Sequence, residues 1–156
     1  MPEEHWLVKP GTVIELLELT YRQLEKRSQY LPHIVTPGGG LKLYLRSYLE
    51  ELVKFIEAGA HKGSPLEEFA QTDKARSLGQ QGFHQLLYLI TQHASEQELL
   101  TAQAIAAILG VSVHAVLNWD LDRTAPLPQT GANPPSTYLT NTIMQSLRWH
   151  GPGLSY

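Results

Sequence analysis

No part of this chain narrows its possible folds as far as residues 100–119, which read LTAQAIAAILGVSVHAVLNW. Ile105, Ile108 and Leu109 recur at helical spacing, and Ala106 among them is small enough to admit a second helix at close range. Gly110 stands just past the last apolar residue, where a left-handed backbone costs glycine nothing. Ser112 follows as a good N-cap, its hydroxyl able to accept from a free amide of the next helix. Val116 and Trp119, three residues apart, then point inward together. The spacing predicts a helix ending at Leu109, a tight corner at Gly110 and a second helix from about Val113 to about Leu121.

Thr101, Ala106, Gly110, Val111, Ser112, Val116 and Trp119 fit the T-x-x-x-x-A-x-x-x-G-V-S form of a helix-turn-helix. Over about twenty residues the segment resembles the helix-turn-helix of bacterial MerR/excisionase-like regulators. The resemblance implies a three-helix domain whose last helix lies in the major groove of double-stranded DNA, with Ser112, Val113, His114, Leu117 and Asn118 facing the groove. Asn118 then offers adenine a paired donor and acceptor, His114 suits a base edge or phosphate, and Val113 or Leu117 suits a thymine methyl. An economical corner between two core helices accounts for the same glycine and serine without DNA.

Phosphate affinity comes mostly from Lys and Arg, and the half that carries the motif is poor in both. Residues 79–156 hold Arg123 and Arg148 against Glu96, Glu98, Asp120 and Asp122, and residues 1–78 hold ten basic against eleven acidic residues. Arg22, Lys26 and Arg27 nevertheless gather at the end of one predicted helix, with Lys42 and Arg46 on the next. Phosphate contacts are therefore expected from Arg22, Lys26, Arg27, Lys42, Arg46 and Arg123. A solvated face, with end charges complementing the helix dipole, is the simpler account of the same residues. DNA binding thus needs those positives, a homodimer or a protein partner to supply the missing attraction.

Along the chain, Thr12 to Glu15 reads as a capping box opening a helix from about Val13 to about Gln29. Pro32, Pro37 and Gly38 to Gly40 interrupt the pattern, which resumes as a second helix over 41–58 until Gly59 stops it. The glycine run has no preceding strand and no following Gly-Lys-Ser/Thr, so it reads as a connection rather than an anion cradle. Ser64-Pro65 opens a short helix. Gly79 and Gly82 break a polar stretch, and a helix from Phe83 to about His93 leads towards the motif. Residues 124–136 are proline-rich and read as a strap, followed by a final helix over 137–150. No internal repeat stands out and strand-like alternation is nearly absent. The expected class is all-α: a helical hairpin in 1–78, available for interaction or dimerisation, a helix-turn-helix bundle in 79–123, and the strap with its helix in 124–156.

The chain has no cysteine, which removes disulfides, thiolate metal sites and a Cys nucleophile. Its seven histidines show no H-E-x-x-H pattern, so no metal or other cofactor is expected. No apolar run approaches membrane-spanning length and the start is too acidic for a signal peptide, so the expected setting is cytoplasmic without membrane contact. Nucleophile elbow, metal pair and phosphate loop are all missing, and no enzymatic activity is indicated. Two functions remain: a DNA-binding transcriptional regulator or accessory factor, and a helical adaptor that keeps the helix-turn-helix frame for protein contacts.

Overall fold

A computed structural model describes residues 5–37, 41–59, 63–119, 121 and 137–152. The molecule is mixed α/β, not all-α: among the described residues six strands form a four-stranded antiparallel sheet and a separate two-stranded ladder. In chain order the elements are β1 (Leu7–Val8), α1 (Pro10–Leu17), α2 (Tyr21–Arg27) with a 3-10 turn over Ser28–Tyr30, β2 (His33–Val35), β3 (Lys42–Leu45) and α3 (Arg46–Ala58). Then come α4 (Pro65–Ala70), α5 (Asp73–His93), β4 (Leu99–Thr101), α6 (Ala102–Leu109), α7 (Val113–Leu117), β5 (Thr137–Leu139), α8 (Thr140–Ser146) and β6 (Arg148–His150). The sheet runs β1-β3-β2-β6, and β4 pairs with β5.

Three predicted helices are corrected by this layout. The one expected over 13–29 is two helices, because Glu18 turns left-handed at φ 54° and Thr20 restarts the chain as a new N-cap. The capping box is Thr20 with Gln23, each satisfying the other's backbone amide, rather than Thr12 with Glu15. The helix over 41–58 begins only at Arg46, since Lys42 to Leu45 is a strand paired on both sides, to β1 and to β2. The helix over 137–150 is strand, helix and strand, with Trp149 of β6 opposite Ile34 of β2. Short strands of this kind carry too few residues for alternation to be read.

Gly79 and Gly82 do not break the chain either: both lie inside the 21-residue α5, which also runs through the 78/79 position. At Gly82 the reason is packing. A Cβ there would come within 2.7 Å of Leu45 Cδ2 and of Trp149 Cζ2, so only glycine lets β3 and β6 close on the helix. Trp149 is fully buried and stacks on Trp6 at 6.2 Å between ring centroids. Trp6 in turn donates its indole N–H to the Ile108 carbonyl at 2.9 Å, so the residues ahead of β1 are fastened to the end of α6.

An internal repeat is present after all. Shifting the numbering by 92 (20 to 112) carries β1, α1 and α2 onto β4, α6 and α7. Both leading helices are eight residues long and end in a left-handed residue, Glu18 or Gly110. Both second helices start from a hydroxyl cap: Thr20 Oγ1 accepts from Gln23 N at 3.1 Å, and Ser112 Oγ from Ala115 N at 3.1 Å. The corner bonds repeat as well, Leu19 N to Ile14 O and Val111 N to Ala106 O. Each unit then closes in the same way. The leading strand pairs antiparallel with the strand just before the third helix, Val8 opposite Tyr44 and Leu100 opposite Tyr138. The amides of Arg46 and Thr140, which open α3 and α8, donate to the equivalent carbonyls of Trp6 and Glu98, both at 2.9 Å.

Candidate nucleic-acid interface

In α7, Val116 is fully buried. At 3.6 residues per turn the side chains most nearly opposite it are His114 and Asn118, and both are exposed, as is the capping Ser112. Val113 and Leu117 flank this ridge, half-buried against the core. The structure thus brings together the five residues that the sequence assigns to the groove, three of them exposed and two committed to packing. Residues 110–119 contain no Lys or Arg. Asp120, Asp122 and Arg123, and the strap over 124–136, lie outside the described residues, as does the Gly38 to Gly40 run.

The equivalent helix of the first unit is built the same way from different side chains. Leu24 is the buried anchor of α2, matching Val116, and the residues opposite it are Arg22 and Lys26, which match His114 and Asn118. Both are exposed, with Gln29 continuing the ridge and Tyr21 69% exposed at its start. Lys26 and Arg27 fall in the last turn of α2, where cations complement the helix dipole. Among the described residues the ion pairs are made by Lys54 and Lys74 with Glu51 and by Arg76 with Asp73. Arg22, Lys26 and Arg27 make none. Arg46 differs: its Nε donates to the His5 carbonyl at 2.7 Å, so it serves the fold. Thr20 and Gln23 were a legible sign of this second corner, masked by the apolar residues that run across it.

Between α2 and β3 the surface is hollowed on either side of Glu25. One hollow, about 470 Å³, is lined by Tyr21, Arg22 and Tyr44, and the other, about 490 Å³, by Lys26, Gln29, His33 and His150; Lys42 borders both. Lys42 Nζ donates to Ser28 Oγ at 3.4 Å. His33 is buried, with Nδ1 2.7 Å from the Leu31 carbonyl. A carbonyl only accepts, so Nδ1 carries the proton. Burial depresses the His33 pKa to about 4, with His150, stacked at 5.4 Å, and Lys42 acting in the same direction. Burial likewise holds the Tyr44 phenol above its ordinary pKa. The trough therefore presents a neutral imidazole and neutral hydroxyls beneath cations at its rim, with Glu25 as its acid. This lining suits an anion approaching from solvent.

Among the described residues no cluster of His, Asp, Glu or Cys is arranged to hold a metal ion, and no helix is long and apolar enough to cross a membrane. No protein-family model, no curated protein and no solved structure matches this chain.

Proposed function

We propose that this protein binds double-stranded DNA, as a regulator or an accessory factor of transcription. The observation that carries the reading is the repeat: two corners with the same caps and hydrogen bonds, each turning the outer ridge of its second helix to solvent. A short helix packed on the body by one face and turned outward on the other by a tight corner is the geometry with which a protein enters the major groove. The test is a mobility shift of labelled random-sequence duplexes at about 50 mM salt, followed by selection of the bound pool. Binding that weakens steeply towards about 200 mM salt is expected, and no shift at the lower salt removes the reading.

The adaptor reading has less surface to draw on. The apolar faces of α3 and of the last segment, which an adaptor would offer to a partner, are taken up internally: Tyr48, Leu49 and Leu52 of α3 and Tyr138, Ile143, Leu147 and Trp149 of the last segment are all buried. Leu139 and Met144 are exposed in that segment, a smaller contact than a stable protein partner ordinarily requires.

A further inference from the structure

We infer that the first unit, not the one carrying the recognisable motif, docks on the duplex: Arg22 and Lys26 of α2, with Lys42 of β3 beside them, form the DNA-contacting surface. This rests on the DNA-binding reading and assigns it to one face.

Three observations converge on that face. The repeat puts Arg22 and Lys26 at the positions of His114 and Asn118, so the same ridge carries a guanidinium and an ammonium in one unit and an imidazole and an amide in the other. The flanking positions differ in the same direction. Tyr21 and Glu25 stand free where Val113 and Leu117 are half-buried against the chain's own core, so α2 has the open flanks that a helix needs to sink into a groove. The surroundings also differ. Lys42 lies beside α2 on a strand of the hairpin, and both hollows open along it, whereas α7 and its turns, residues 110–119, supply no cation. Among the described residues that line the trough Glu25 is the one acid, against Arg22, Lys26 and Lys42. With a formal net charge of −3, the protein as a whole does not attract DNA, so attraction has to come from a local surface such as this one.

The experiment compares the full chain with R22A/K26A, H114A/N118A and the charge-keeping R22K/K26R, using fluorescence anisotropy on a labelled random-sequence duplex between about 50 and 200 mM salt. The altered side chains are exposed, and thermal melting checks that each variant stays folded. R22A/K26A is expected to lose on the order of tenfold or more in affinity and to flatten the log Kd against log salt slope by about two, roughly one for each phosphate contact removed. R22K/K26R is expected to keep the slope, and H114A/N118A to stay within about twofold of the parent. If H114A/N118A abolishes binding while R22A/K26A binds normally, the assignment to the first unit is wrong and the DNA-binding reading survives. If the parent chain binds no duplex at low salt, the DNA-binding reading itself fails. Equal affinity for a single-stranded competitor overturns the duplex as occupant of this face.

Discussion

Gly82→Ala tests the packing that joins the two units, because local and tertiary effects pull in opposite directions there. Within α5 the substitution replaces a poor helix former by the best one, a gain of about 1 kcal/mol. The added Cβ, however, would sit 2.7 Å from Leu45 Cδ2, 2.7 Å from Trp149 Cζ2 and 2.9 Å from Trp149 Cη2, where carbon atoms prefer about 3.5–4.0 Å. Both neighbours are held in place by partners of their own. Leu45 is buried in the strand between β1 and β2, and Trp149 is held between Trp6 and Phe83. Overpacking costs about 1–3 kcal/mol, and two clashes on opposite elements place this case near the upper end. The expected net loss is about 2 kcal/mol in urea unfolding, or roughly 4–8 °C in Tm for a chain of this size. Trp149→Phe withdraws the outer edge of the indole, so Gly82→Ala should cost at least about 1 kcal/mol less in that background. A Gly82→Ala protein as stable as the parent, or a cycle with no coupling, would refute the argument.

The two corners should respond unequally to substitution. Gly110→Ala forces a side chain into a left-handed backbone, about 1–2 kcal/mol, and pushes on the His5 ring 2.9–3.0 Å away, endangering its hydrogen bond to the Ala107 carbonyl; a loss of about 2–3 kcal/mol in chemical denaturation is expected. Glu18→Gly at the matching position relieves the strain and loosens the unfolded chain by similar amounts, so its change should stay within about 1 kcal/mol, and equal losses in the two variants would contradict the repeat. The folded pKa of His33, about 4 against 6.5, means that between these values the unfolded chain binds the extra proton. Stability is full above about pH 6.5 and falls as pH drops towards 4, by up to about 3 kcal/mol. Urea melts at pH 7 and pH 4.5 should show that loss, and His33→Gln should shrink the difference.

How much of this was legible beforehand depends on how locally each feature is encoded. The corner at Gly110 was readable because glycine, the hydroxyl cap and the apolar spacing all lie within one short window, and α6 ends at Leu109 as that window requires. The exposure of His114 and Asn118 was readable for the same reason, since one buried residue, Val116, fixes the outward side. The first corner carries the same design in residues that do not announce it. From 7 to 27 only Leu7 and Leu17 are identical to their counterparts, Leu99 and Leu109. Glu18 occupies the left-handed position where glycine is the usual signal, and Leu16, Leu17, Leu19 and Leu24 read as one continuous apolar stripe. The strands were hidden more deeply. Leu7 and Val8 become a strand because Leu45 and Tyr44 lie opposite them, a partnership set by residues far along the chain. Trp149 is a strand residue because Gly82 leaves it a place against α5. Glycine inside a helix looks like a break when read alone and like a contact once its neighbour is known. What sequence could not weigh was therefore the comparison between the units: reading one corner singled out His114 and Asn118, and only the fold places Arg22 and Lys26 at the same two positions.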